Sequence, residues 1–337
     1  MKKTKKTLIL RCPKYLDIYN PRYYEETLKF IHSLDKLKIE SFVKEFVISF
    51  IQTKEIKAAA SVLLYAKLEE LLSYNLKFRL RTDFNIAIAN QLKRAGFYTL
   101  MRQGNQNNIF SCNKLPIISG KSGEFREEII DFIKEQIYQN KFDDNLEYVY
   151  GDAIQEAINN VSLHAYPNKK DQEKKWWLYC TLINDELYLV LYDRGNGIPK
   201  TFTKGNQLFD EIDWSDEELR EEIQQNLDRW GLEIPSPTEN LTDIDNVKSS
   251  DSARIYFAMA DDITRMIGKD ELKHGQGSKS IKKLVSSHEE GILWIFSNKG
   301  LFRYHNDDTM PFLQNFNHSI NGTLIQWNIK VFINEAN

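Results

Sequence analysis

The spacing of apolar and polar positions divides the first third of the chain into alternating short strands and helices. Thr7 to Leu10 is a short apolar run. Residues 23–37 place Leu28, Ile31 and Leu34 at helical spacing. Residues 45–51 (EFVISFI) are β-branched and aromatic, the composition of a buried strand. Residues 58–72 predict a helix whose broad apolar face runs through Leu63, Leu64, Leu68, Leu71 and Leu72. Residues 76–82 alternate apolar and basic side chains and predict a strand. Residues 86–95 predict a helix closed by Gly96, a residue suited to the left-handed position after a helix. Alternation of this kind argues for a small α/β layer.

Gly, Asn and Ser at 104–108 and 119–124 mark a linker. Beyond it, 126–139 and 145–164 predict two helices. Residues 177–183 and 186–192 predict strands joined by Asn184-Asp185, a hairpin signal. A helix at 280–287 and strands at 293–297 and 324–329 follow. The division is a front domain at 1–120 and a larger domain at 121–337, and 337 residues suit about two domains.

Composition is that of an ordinary globular chain, with 42% hydrophobic and 28% charged residues. Three dispersed cysteines (Cys12, Cys112, Cys180) argue against a disulfide scaffold and a structural zinc site, and for a reducing compartment. Behind Lys2 to Lys6 only Leu8 to Leu10 precede Arg11, too short for a signal peptide, and no apolar run could span a bilayer. The expected location is cytoplasmic, with no membrane partner. The net charge of −3 hides an asymmetry: residues 1–120 hold 21 Lys+Arg against 10 Asp+Glu, and the remainder 24 against 38. A basic front end permits nucleic-acid binding. The plainer reading of the asymmetry is docking of the two parts on each other or on a second copy. The cations are spread along the chain without a dense cluster, so nucleic acid is not favoured as a partner.

Four short stretches carry candidate chemistry. Glu156, Asn160 and His164 stand at i, i+4 and i+8, on one face of a helix. A carboxylate there can take a proton from water, and a carboxamide oxygen can ligate Mg²⁺. Asp193-Arg-Gly195-Asn-Gly197 follows a strand. An Asp at that point is a fixed acceptor for an exocyclic amine, and the glycines let backbone approach a flat ring. His274-Gly275-Gln-Gly277-Ser278 opens a helix, where free N–H groups suit phosphate. Asn321-Gly322-Thr323 is a turn entering the last strand.

In order and spacing these stretches resemble the N, G1 and G2 boxes and the closing Gly-Thr of the GHKL superfamily. That superfamily includes gyrase B, the large heat-shock chaperone, MutL and the histidine kinases. The resemblance covers about residues 125–333, and the first stretch is closest to the anti-sigma-factor serine kinases, through Glu156, Asn160 and His164-Ala165-Tyr166. It implies a Bergerat α/β sandwich, a mixed sheet with helices on one face, binding ATP and Mg²⁺. Glu156 would be the catalytic base and Asn160 the magnesium ligand. Asp193 would bind the adenine amine, with Gly195, Gly197 and Thr323 around it. Gly275, Gly277 and Ser278 would cradle phosphates. His164 would face phosphate or satisfy the helix–sheet core.

The segment 198–274 corresponds to the superfamily's ATP lid and holds 18 acids against 9 bases. It predicts an acidic helix at 216–230 and a second helix at 252–267, with Lys248, Arg254 and Arg265 as cations that could reach phosphate. The front domain resembles a STAS-like α/β domain over Phe46 to Met101. Where phosphorylated STAS partners carry a Ser, this chain has Lys57-Ala58-Ala59-Ala60, leaving Ser61 as a displaced acceptor. The resemblance implies an ATP-driven conformational switch, with the basic front domain or a second copy facing the acidic lid. The alternatives are a protein serine kinase acting on a separate partner and a nucleic-acid-associated ATPase.

Overall fold

The computed structural model describes residues 8–39, 44–104, 115–141, 144–205, 217, 221, 250–259, 276–288, 290–305 and 311–331. The first third builds a parallel sheet from β1 (Leu8–Arg11), β3 (Glu45–Ser49) and β5 (Lys77–Arg81), in the order β1-β3-β5. A two-residue parallel pair, β2 (Tyr15–Leu16) with β4 (Glu55–Ile56), stands beside it. Helix α1 (Pro21–Ser33) starts where the Asn20 side chain accepts from the Arg22 N–H and Pro21 occupies the first turn. A 3-10 turn (Leu34–Lys38) follows α1. Helices α1 and α2 (Ala58–Ser73) are the two crossovers. Helices α3 (Ile86–Arg94) and α4 (Phe97–Gln103) follow β5, separated by Gly96 at φ 86°.

The larger unit is a seven-stranded sheet: β6 (Ile118–Lys121), β7 (Lys175–Ile183), β8 (Glu186–Asp193), β9 (Ile292–Ser297), β10 (Gly300–His305), β11 (Phe312–Asn315) and β12 (Thr323–Lys330). Their order is β11-β10-β9-β12-β8-β7-β6, and every neighbouring pair is antiparallel. The expected mixed sheet is therefore corrected to an antiparallel one. The supposed linker at 119–124 is also corrected in part, because β6 runs through it. Gly120 belongs there for a steric reason: a Cβ would sit inside the Trp176 ring of the neighbouring strand.

Side chains alternate strictly across this sheet. Trp176, Leu178, Leu189, Leu191, Ile295, Ile325 and Trp327 point to one face. Against it pack α5 (Arg126–Phe132), α6 (Asp144–Asn160), α8 (Asp251–Met259) and α9 (Gln276–Ser286), while α7 (Ile198–Gly205) lies against α8. Trp177, Tyr179, Val190, Tyr192, Phe296 and Leu324 point to the other face and share one core with the front domain. That face is covered: α2 lies on β7 and β8. Tyr24 of α1 stacks on Phe316 at 3.6 Å between centroids and reaches Phe296. The helices of the larger unit itself lie on one face, and the second face is closed by helices of the front part. Helix α2 is enclosed between two sheets, which explains why even its Ser61, Lys67 and Glu69 are buried.

Candidate functional site

The end of the seven-stranded sheet collects several of the residues singled out by sequence. Asp193 is the last residue of β8, and its cross-strand neighbours are Thr323 of β12 and Trp176 of β7. All three lie on the helix side of the sheet by alternation. The Asp193 carboxylate is buried and accepts from the Gly195 N–H at 2.7 Å and from the Thr323 N–H. Burial pushes its carboxyl up to about 7, against these two bonds, which favour the charged form. An ionised carboxylate here still has lone pairs free for a further donor.

Ser297 at the end of β9 completes this floor. Its hydroxyl lies 2.9 Å from the Thr323 hydroxyl and donates to the Gly322 carbonyl at 3.1 Å. It also accepts from the Ile198 N–H at 2.9 Å, tying the start of α7 to the sheet. The Asn298 side chain donates to the Asn196 carbonyl at 2.9 Å. Sequence reasoning passed over both residues. Their only signal is a Ser-Asn pair at a strand end, which is common in plain turns.

The loop after Asp193 is fixed by close approach. A Cβ on Gly195 would collide with the Ala165 carbonyl, and the Asn196 N–H donates to that same carbonyl at 2.8 Å. Gly197 has φ 80° and leaves only 2.6 Å between an added Cβ and the Asn298 amide nitrogen. Gly322, at φ 126°, lies against the Asp193 carbonyl. The structure thus gives these glycines packing of the loop onto the protein. The Arg194 N–H donates to the Tyr166 hydroxyl at 2.9 Å, and that hydroxyl donates to the Lys175 carbonyl at 2.8 Å.

Glu156 and Asn160 lie in the second half of α6, both half-buried and hydrogen-bonded to each other. Burial raises the Glu156 carboxyl above the usual range, and the negative charge of Asp152 adds to this. After Asn160 the helix widens into a π turn, Val161–Ala165, and His164 within it is exposed. The reading of His164 as satisfying the core is thereby corrected.

The phosphate stretch is described in part. Helix α9 begins at Gln276, so the backbone of Gly277 and Ser278 forms its first turn instead of a preceding loop. His274 and Gly275 lie outside the described residues, as do Lys248, Arg265 and nearly all of the acidic helix expected at 216–230. The second lid helix is described over Asp251–Met259. Its Arg254 pairs with Asp251 at 3.7 Å. Asn315 holds its start: the Asn315 side-chain Oδ1 accepts from the Ser252 N–H at 3.0 Å. These described lid helices lie on the face opposite the front domain, so the expectation of a basic platform facing the lid is corrected for them.

Ser61 is 1% exposed inside α2, which removes it as a surface phosphate acceptor. Among the described residues, no helix is long and apolar enough to cross a membrane. Nor do three or more His, Cys, Asp or Glu side chains there converge on a metal position. An amide oxygen such as that of Asn160 is a ligand of another kind, hard and neutral, suited to Mg²⁺ shared with phosphates and waters. No protein-family model matches the chain, and no curated protein matches it.

Proposed function

We propose that this chain binds ATP with Mg²⁺ at the end of the antiparallel sheet and uses it as a conformational switch, as the resemblance to the GHKL superfamily implies. The observation that carries the reading is the Asp193–Thr323 pair. A buried carboxylate, fixed by two backbone N–H donors beside a hydroxyl, is the acceptor an adenine amine requires. The residues fit the ligand in kind: an amine acceptor at Asp193, a general base at Glu156, a hard oxygen at Asn160 and a helix N-terminus at α9. The Bergerat and STAS-like descriptions of the two units belong to the same proposal.

Bound Mg·ATP supplies the phosphoanhydride and the cation that offsets its charge. The chain's own part is to orient and to move one proton. Asp193 and Thr323 hold the base. Asn160 presents its amide oxygen to the cation. Glu156, whose carboxylate is made more basic by burial and by Asp152, takes the proton of the attacking water. In this reading transfer goes to water. The hydroxyl of Ser61 in the front domain is buried, and a kinase would need a separate protein substrate. The nucleic-acid reading gains one feature, since Arg11, Lys77, Arg79 and Arg81 are exposed on one face of the parallel sheet. Arg79 is paired with Glu45 and Arg81 with Asp83, which lowers its net charge. ATP binding by titration calorimetry, followed by phosphate release in wild type and Glu156→Ala, tests the proposal. Absence of binding overturns it, and equal release by the variant overturns the role of Glu156.

A further inference from the structure

The DxGxG loop is held from behind by the front domain. Arg194, next to Asp193, turns its side chain through to the opposite side of the sheet, where its guanidinium meets Glu70 of α2 at 2.5 Å. Glu70 is shared with Lys38 at 2.8 Å and with Lys67 at 3.1 Å. Lys67, only 5% exposed in its side chain, continues to Asp35 at 2.8 Å. The preceding acid of α2, Glu69, accepts from the Trp177 indole N–H at 2.5 Å and the Ser119 hydroxyl at 3.1 Å, and pairs with Lys175 at 2.8 Å. Trp177 and Arg194 are the chain neighbours of Trp176 and Asp193, which form one cross-strand pair. Two consecutive acids of one buried helix therefore clamp the back of the two strands whose front carries Asp193.

We propose that Glu70 and Arg194 are positioning residues for the nucleotide site, coupling α2 of the front domain to the Asp193 carboxylate. This rests on the ATP reading for its ligand, but the geometry stands without it. The Arg194 backbone N–H is fixed on the helix side by Tyr166, and its side chain is fixed on the front-domain side by Glu70. The peptide between Asp193 and Gly195 is thus pinned from both directions, and it carries the N–H that orients the carboxylate. A displacement of α2 moves that peptide, and a ligand donating to Asp193 braces it. The coupling is reciprocal by thermodynamic necessity.

Two readouts on the full chain test this. The first needs no nucleotide. Amide hydrogen exchange is followed at Gly195 and Thr323, with Leu301 and Phe302 of β10 as internal reference, in wild type, Glu70→Gln, Arg194→Gln, the double variant and Arg194→Lys. The expected result is exchange at Gly195 about tenfold faster in each Gln variant than the reference amides account for. The double variant is no worse than the singles, and Arg194→Lys recovers most of the protection. Exchange that rises uniformly with the reference amides, or not at all, overturns the proposal. The second readout is Mg·ATP affinity, expected to fall about 5- to 10-fold in each Gln variant and to be unchanged in Arg79→Gln, whose ion pair is remote from the site. Wild-type protein that binds no ATP sinks the functional reading while the exchange arm still decides the coupling. Wild-type binding with unchanged affinity in both Gln variants sinks the coupling alone.

Discussion

Thr323 opens β12 directly across from Asp193 at the end of β8, and its backbone N–H donates to the Asp193 carboxylate. The pair converts a feature of sheet register into a chemical site. A one-residue slip of β12 would turn Thr323 to the front-domain face and bring Leu324 opposite the carboxylate.

The first prediction concerns pH. The Asp193 carboxyl is raised to about 7, above its unfolded value near 4. A raised carboxyl contributes stability that is complete below the unfolded value and is lost as pH rises through the folded one. At about 1.4 kcal/mol per pKa unit, stability without ligand falls by roughly 2–4 kcal/mol between pH 4 and pH 8 from this group. Nucleotide affinity runs the other way, rising as the carboxylate ionises. Denaturant melts and ATP titrations from pH 5.5 to 8.5 check both slopes, which flatten in Asp193→Asn.

A second prediction isolates loop packing. Gly195→Ala forces a methyl against the Ala165 carbonyl and lowers stability by about 1–3 kcal/mol. Gly120→Ala places its methyl in the Trp176 ring and costs a similar amount. Gly123→Ala meets nothing within 4 Å and stays within about 0.5 kcal/mol of wild type. Urea denaturation of the three variants makes the comparison.

A third prediction concerns Ser61 as a phosphate acceptor within this chain. Ser61 lies in a core shared by both domains, so Ser61→Asp buries an unpaired charge and costs more than about 3 kcal/mol. Mass spectrometry of protein incubated with Mg·ATP finds Ser61 unmodified.

A fourth prediction assigns Glu156. Glu156→Gln retains ATP binding within about threefold and loses phosphate release by about 100-fold or more, the range for removing a general base. Turnover and binding measured on one preparation separate the two effects.

Much of this architecture could be read from local pattern. The Asn184-Asp185 hairpin was legible because both residues tolerate positive φ, and they adopt 51° and 62°. The edge strand β6 was not, since Ser119-Gly120 resembles a turn. Only the Trp176 ring, more than fifty residues later, explains that glycine. Glu69 and Glu70 look like the solvent side of an amphipathic helix. Their partners, Trp177 and Arg194, arrive from strands more than a hundred residues on. Gln326 and Asn328 are buried for the same reason: the front domain covers a sheet face that the sequence of β12 does not declare. The position of Asp193 at a strand end was legible. Its proximity to Ser297 was not, because it depends on β9 and β8 both pairing with β12.

The most direct test of the central claim is ATP binding by titration calorimetry at pH 8 with Mg²⁺, comparing wild type with Asp193→Ala. The account predicts saturable one-to-one binding to wild type and a loss of at least about 100-fold in the variant, the scale of removing a buried polar partner that a ligand hydrogen-bonds. Wild-type protein without binding, or an Asp193→Ala protein that is folded and binds equally well, would contradict it.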